Sequence, residues 1–253
     1  VEPRAHAGGE ETGAFRMMSI PLQFPGDFDG TIEALLSDQP EFGPYDPVKW
    51  RSWVYLPESG KYGELSNKSL AERFRPVPGR AFWLISRANH RISTAPVSGL
   101  SPPTDGPYAL ELASGWNMIG SIFAFPVSWD SVRVDTLSMS EAVGVNVDPP
   151  LRWNGGYSRT VPTMEPFEGY WIYNRTDNPV TLYIPAKEAI AETSPAPLAV
   201  AAQEDDFRMS LHATSGDRED SFAIIGTSSQ AARDLDRFDR VIDFATFSGD
   251  DQQ

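Results

Sequence analysis

Short apolar runs separated by turn-forming residues dominate the first three quarters of the chain. The runs at 15–22 (FRMMSIPL), 50–56 (WRSWVYL) and 81–85 (AFWLI) are apolar, aromatic or β-branched at most positions, which favours strands. Segment 57–61 (PESGK) has the composition of a hairpin turn. Apolar residues at helical spacing occur only in short stretches such as 31–37 (TIEALLS). The pattern predicts a mainly β fold with a few short helices.

A second set of apolar runs repeats the order of the first. Segment 115–129 (GWNMIGSIFAFPVSW) is similar to 15–25 (FRMMSIPLQFP), and a shift of 101 residues also aligns Arg51 with Arg152. With the shift shortened to 88, the aromatic strand that closes the first copy aligns with the one that closes the second. The Asn-Gly pair at 154–155 is a strong hairpin signal within the second copy. We therefore predict an internally duplicated module.

The repeat divides the chain into parts of different composition. We expect an antiparallel β module with sandwich or barrel-like halves. Trp116 and Phe123 are expected to pack across the join between the copies. The predicted parts are a flexible leader (1–13), the duplicated module (14–186, with copies at about 14–100 and 108–186), an Ala/Pro/Glu linker (187–204) and an incomplete β-rich unit (205–253).

Charge and composition narrow the range of partners. The chain has 21 Lys and Arg against 35 Asp and Glu, a net charge of −14, which opposes binding to nucleic acid and to anionic membranes. No apolar run approaches the roughly 20 residues of a membrane helix. There is no cysteine, which excludes disulfides and thiolate metal ligands. We expect neither nucleic-acid partners nor membrane insertion.

Several motifs resemble those of a known kind of module. The main motifs are at 18–22 (MSIPL), 78–85 (PGRAFWLI), 115–129 and 169–174 (GYWIYN). They resemble the duplicated β-rich module of secreted and surface proteins of Bacteroidetes-type bacteria, which are multidomain and often exported by a type IX system. Segments 220–226 and 231–239 resemble the start of the domain that often follows this module, whereas 121–123 (Ser-Ile-Phe) depart from the Asn-Pro-Phe of the pattern.

This resemblance implies an extracellular or outer-surface location. It also implies that the partners are other domains of a parent protein, or other surface proteins. The shared motifs are structural rather than catalytic.

Five aromatic residues near predicted hairpin turns are candidate ligand-binding residues. A hairpin tip can present an aromatic ring to solvent, and sugars stack on such rings. The alternative is core packing, which is the favoured interpretation for most of the seven tryptophans. The five candidates are Trp53, Tyr55, Tyr62, Trp153 and Tyr157.

A run of carboxylates near the C-terminus suggests one metal. Calcium binds through six to eight oxygen ligands, and the spacing here differs from the EF-hand loop. Interleaved arginines explain the same residues as an ion-paired, solvated face, which is the favoured interpretation. No other cofactor is expected. The candidate calcium ligands are Asp234, Asp236, Asp239 and Asp243.

No catalytic constellation stands out. His6, His90 and His212 are far apart in sequence and lack zinc-ligand spacing. There is no G-x-S-x-G nucleophile motif, and no two carboxylates are singled out as a glycosidase pair. We therefore predict a non-enzymatic protein.

Three functions remain open at this point. The first is an adhesion, spacer or assembly module of a larger secreted protein. The second is a carbohydrate-binding module that uses the five hairpin aromatics. The third is an accessory domain of a secreted hydrolase.

Overall fold

A computed structural model describes residues 5–25, 28, 30–94, 99–189, 207–215 and 218–227. Most of its regular structure consists of antiparallel strands, so the predicted mainly β fold is confirmed. No sheet formed by the described strands closes into a barrel. We refer to the described residues from 15 to 94 as the N-terminal half and to 99–189 as the C-terminal half.

The N-terminal half is one four-stranded antiparallel sheet covered by a helix. The predicted run 50–56 forms a strand with those bounds, and a 3-10 helix occupies Lys68–Phe74. The elements are β1 (Arg16–Ser19), α1 (Ile32–Ser37), β2 (Trp50–Leu56), β3 (Lys61–Glu64) and β4 (Ala81–Ser86). The strand order in the sheet is β1-β4-β2-β3.

One face of this sheet packs against α1 to form the N-terminal core. Side chains alternate between the two faces of a strand. Trp50 and Val54 of β2 therefore point to the same side, where Leu35 and Leu36 of α1 cover them. All four residues are at most 3 % exposed. The opposite face of the sheet is also apolar, and the C-terminal half packs against it.

The C-terminal half contains a second four-stranded sheet and a separate strand pair. The elements are β5 (Tyr108–Leu112), β6 (Gly115–Gly120), β7 (Val127–Ser128), β8 (Arg133–Val134), β9 (Leu137–Ser138), α2 (Met139–Ala142), β10 (Arg152–Trp153), β11 (Tyr157–Ser158), β12 (Thr163–Met164), β13 (Gly169–Asn174) and β14 (Val180–Ile184). The sheet has the order β5-β14-β8-β9, while β6 pairs with β13. The predicted Asn-Gly turn lies between β10 and β11.

A C-terminal core fills the space between this sheet and the β6–β13 pair. Ile119 of β6 and Ile172 of β13 point into it, together with Trp129 and Leu182. Phe123 also belongs to this core, where its ring stacks on Phe125 with centroids 5.0 Å apart. The prediction that Phe123 packs across the join is therefore wrong.

The two halves share a pattern of strand pairing. Arg16 lies opposite Leu84 in β1–β4, and Asn117 lies opposite Ile172 in β6–β13, which matches the shifts of 101 and 88 residues. The next strand departs from the predicted alignment. Trp53 lies opposite Trp83, whereas Leu151 lies opposite Trp171, a shift of 98. The pairing therefore does not match Arg51 with Arg152.

Small residues allow the strands of the two halves to cross closely. A Cβ atom on Gly120 would lie 2.6 Å from the Arg80 carbonyl oxygen and closer still to Ser19, and one on Gly169 would lie 2.8 Å from Ala81 Cβ. The Ser19 hydroxyl contacts the Ser121 hydroxyl at 2.9 Å and donates to the Glu168 carbonyl at 2.8 Å. The backbones of the halves are thus in direct contact.

Residues 5–14, which we call the strap, lie along the chain that follows β4. His6 and His90 exchange two backbone hydrogen bonds of 2.8 and 2.9 Å, and the Gly9 amide donates to the Ser86 carbonyl at 2.9 Å. A Cβ atom on Gly8 would overlap the backbone of Ala88. This part of the predicted leader therefore packs on the N-terminal half.

Near the C-terminus, two strands form a hairpin. They are β15 (Phe207–Ser215) and β16 (Arg218–Thr227), which pair antiparallel within the segment predicted to be an incomplete β-rich unit. Most of the predicted linker (187–204) lies outside the described part.

Candidate functional site

The two halves meet through a layer of aromatic side chains, which we call the seam. It lies between the face of the N-terminal sheet opposite α1 and the outer face of the β6–β13 pair. Its buried members are Phe15, Met17, Trp53, Ala81, Trp83, Leu151 and Trp171, and the half-buried residues packed against them are Tyr55, Tyr62, Ile85, Trp116, Met118, Trp153 and Tyr157.

Strand alternation explains why these side chains face one another. In β2, Trp53 and Tyr55 lie on the side opposite Trp50, and therefore point away from the N-terminal core. In β13, Trp171 likewise points away from the core that holds Ile172. Both strands are thus apolar on both faces, as expected for strands that are buried on both sides.

Ring contacts cross the seam in edge-to-face geometry. Tyr55 meets Trp171 with centroids 4.9 Å apart, and Trp83 meets Trp153 at 5.7 Å. The Trp153 indole also donates to the Phe15 carbonyl at 3.0 Å. This geometry suits the charge distribution of aromatic rings and adds about 0.5–1.5 kcal/mol per pair beyond area burial.

All five aromatic residues predicted to bind a ligand belong to the seam. Trp53 is 5 % exposed, and the other four are half-buried. Tyr55 lies opposite Tyr62, and Trp153 lies opposite Tyr157, so both pairs do flank hairpin turns. Their rings, however, pack against the seam rather than projecting from the hairpin tips. Ligand binding by these residues stays a prediction.

Burial in the seam changes the chemistry of the tyrosines. Burial raises the pKa of Tyr157 to about 12, although a hydrogen bond with Trp171 partly opposes this. Burial also raises the pKa of Tyr55, and the nearby Tyr173 adds to the effect. Both phenols therefore favour the neutral form within the seam.

At one end of the seam, an open groove of about 430 Å³ lies between the strap and the start of β2. Its lining includes Trp53 and Ile85 of the sheet, Glu10 of the strap and Val48 of the segment before β2. Val48 is 61 % exposed and offers apolar surface to solvent at this groove. The sequence did not predict this groove, because its two sides are far apart in the chain.

Ion pairs surround the groove. Arg51 donates to both carboxylate oxygens of Glu64 at 2.7 and 2.8 Å, and its guanidinium lies 4.7 Å from the Trp53 ring centroid. Arg87 contacts Glu10 at 2.8 Å. The groove therefore offers both hydrogen-bond donors and acceptors beside apolar side chains.

Glu64 is held in its charged form by these contacts. Burial alone would raise the pKa of Glu64, but hydrogen bonds from Arg51 and Tyr45 outweigh burial and lower it. The Tyr45 hydroxyl donates to Glu64 at 2.8 Å. Burial, reinforced by Glu64, raises the pKa of Tyr45 well above its usual value.

Two of the three histidines, expected to be isolated, lie together. The rings of His6 and His90 have centroids 5.5 Å apart, and His90 is only 3 % exposed. Arg16 donates its Nε–H to His6 Nδ1 at 3.2 Å. No short-range sequence signal links positions so far apart.

Metal binding has no support within the described residues, where no group of three or more His, Asp or Glu side chains is placed to hold an ion. The predicted calcium ligands Asp234, Asp236, Asp239 and Asp243 lie outside those residues. In the described part of the chain, no helix is long and apolar enough to span a membrane.

Comparison with known protein families, with curated proteins and with solved structures found no match.

Proposed function

We propose that this chain is a non-enzymatic structural module of a larger extracellular or cell-surface protein, with a spacer, adhesion or assembly role. The observation that carries this proposal is the seam. Fourteen side chains, nine of them with Trp, Tyr or Phe rings, join the two halves. Such a seam favours one rigid body that transmits force or fixes the distance between neighbouring domains.

The pairing pattern supports a duplicated origin for this module. Met17 lies opposite Trp83 in one half, and Met118 lies opposite Trp171 in the other, and all four side chains are in the seam. Duplication would place the same apolar face on both copies, which can then pack against each other. A seam between like surfaces follows naturally from that origin.

The extracellular location and the partners rest on the motif resemblance. In this proposal, the module contacts other domains of its parent protein or other surface proteins. The net charge of −14 is consistent with such a soluble, surface-displayed unit.

Carbohydrate binding is the second candidate, and the groove beside Trp53 supports it. Ion-paired side chains such as Arg51 and Glu10 can donate to and accept from sugar hydroxyls, while Val48 offers apolar surface. The ring of Trp53 is buried beneath Arg51, so stacking of a sugar on that ring would need Arg51 to move.

Tryptophan fluorescence titrated with a panel of neutral and acidic glycans separates these candidates. A structural module gives no saturable change, whereas a saturable change favours the second candidate. Val48→Asp should abolish a response that arises in the groove. Val145→Asp is the matched control, because Val145 is also exposed, at 54 %, and does not line the groove.

Single-molecule pulling tests the mechanical role directly. If the seam makes the halves one body, residues 5–189 extend in a single step when pulled from both ends. Two separate steps, one for each half, would contradict a rigid spacer.

A further inference from the structure

Two imidazole rings, those of His6 and His90, meet where the strap contacts the N-terminal half. Their rings are 5.5 Å apart, and both residues take part in the backbone pairing that holds the strap. The His90 ring also packs against Phe42 at 5.1 Å. The site that joins the strap to the N-terminal half is therefore built around titratable groups.

The surroundings of both rings favour the neutral form. His6 Nδ1 accepts from Arg16, so this nitrogen carries no proton. His90 Nδ1 faces the Ala88 carbonyl at 3.4 Å, while its Nε2 is buried without a hydrogen-bond partner. A proton on His6 Nδ1 would oppose the Arg16 N–H, and a proton on His90 Nε2 would be buried and unsatisfied.

Charged neighbours make protonation still less favourable while the strap is bound. Arg16 is a permanent cation beside both rings, and its Nη1 donates to the Gly13 and Phe15 carbonyls, which ties it to the strap. Two protonated histidines would place three positive charges in this small space. The nearby carboxylates are Glu41, which faces His90, and Glu168, which faces Arg16.

We propose that His6 and His90 act as a pH-dependent contact that holds the strap on the N-terminal half at neutral pH and releases it in mild acid. Burial lowers the pKa of His90; the Ala88 carbonyl and Glu41 oppose this effect, and Arg16 reinforces it. The released state therefore binds more protons than the bound state below the usual histidine pKa of about 6.5. Binding of the strap is strongest above that value and weakens as the pH falls.

Release of the strap changes the groove. Gly9 and Glu10 border it on the strap side, and the Arg87–Glu10 ion pair joins that side to the end of β4. Release removes this border and exposes the side of Phe15 and Trp53. The inference is independent of the proposed structural role, and it would regulate access to the groove under the second candidate function.

Hydrogen exchange of the intact chain measures release directly. The reporters are the amides of His6, Gly9 and His90, whose hydrogen bonds cross between the strap and the N-terminal half. For each histidine that gains a proton on release, the protection of these three amides changes by at most roughly tenfold per pH unit. We expect a loss of about tenfold or more between pH 7.5 and 5.0, after correction for intrinsic exchange. The Trp129 amide, bonded to Pro162 in the C-terminal core, should keep its protection.

Three variants give the controls. Gly8→Ala should release the strap at pH 7.5, because the added methyl overlaps Ala88, and so shows the exchange pattern of the released state. The double variant His6→Gln, His90→Phe should lose the pH response. His212→Asn should retain it.

Either of two results overturns the proposal. One is protection of the three amides that is the same at both pH values in the unmodified chain. The other is a pH response that persists in the double variant. If the double variant does not fold, the imidazole NMR signals of the unmodified chain decide the question. His90 must gain its proton over the same pH range in which the strap amides lose protection, and titration without that loss refutes the mechanism.

Discussion

The ring of Tyr55 stands edge-on to the ring of Trp171, with centroids 4.9 Å apart and an interplanar angle of 83°. Tyr55 belongs to β2 of the N-terminal half, and Trp171 belongs to β13 of the C-terminal half. Tyr62 of β3 meets the same indole at 6.3 Å. Trp171 thus contacts two tyrosines of the N-terminal half, and the seam consists of such contacts.

Removing this tryptophan should destabilise the whole module. Trp171→Ala is expected to lower the free energy of unfolding by about 3–5 kcal/mol, because the indole is 5 % exposed and leaves a large cavity. Urea unfolding followed by circular dichroism measures the loss. Tyr183→Ala is the control, since that ring is 38 % exposed, and a change within about 1 kcal/mol is expected.

A double-mutant cycle isolates the contact across the seam. Tyr55→Ala and Trp171→Ala, alone and together, should give a coupling energy of about 0.5–1.5 kcal/mol. Additive single effects would show that the two rings do not stabilise each other.

Close crossing of the strands predicts a penalty for one methyl group. Gly120→Ala should lower the free energy of unfolding by about 1–3 kcal/mol, because the new methyl meets the Arg80 backbone and Ser19. Gly106→Ala is the matched control, since a Cβ atom there has no neighbour within 4 Å. It should leave stability unchanged or slightly raise it. Equal effects of both changes would argue against the crossing.

The ion pair beside the groove predicts a pH-dependent contribution to stability. The pKa of Glu64 is lowered in the folded state, so its contribution is complete above the usual value of 4.5 and is lost as the pH falls through the folded pKa. Glu64→Gln should cost about 1 kcal/mol at pH 7, since the pair is partly exposed, and nearly nothing in strong acid. Thermal unfolding at a series of pH values gives the comparison, and a pH-independent difference would contradict it.

Tyr157 predicts a loss of stability in alkali. The unfolded phenol ionises near pH 10, whereas burial keeps it neutral up to about pH 12 in the folded chain. Stability should therefore decrease between these values as the unfolded state loses a proton first. Tyr157→Phe should make the slope of stability against pH less steep, by the equivalent of about one proton. Tyr183→Phe serves as the exposed control. An unchanged slope in Tyr157→Phe would place this phenol outside the seam.

Local signals predicted much of the secondary structure. The aromatic run of β2 and the apolar spacing of α1 each specify their own element, and the Asn-Gly pair specifies the turn between β10 and β11. These signals depend on neighbours a few residues away, which a sequence displays directly.

Relationships between distant segments were not predictable in the same way. The hairpin position of Tyr55 and Trp153 indicated exposure, because the sequence does not show that a second sheet covers that face. His6 and His90 come together only because the strap pairs with the chain after β4. Phe123 follows β6 beyond the crossing at Gly120, where the chain turns into the C-terminal core.

Native-state hydrogen exchange in increasing urea tests most directly whether the seam makes the two halves one cooperative unit. The amides of Leu65, bonded to Ser52 in the N-terminal half, and Trp129, bonded to Pro162 in the C-terminal half, report on each side. We predict that both exchange with one common free energy, equal to that of global unfolding, and that Tyr55→Ala lowers both equally. Two different free energies, with Tyr55→Ala affecting only Leu65, would contradict this account.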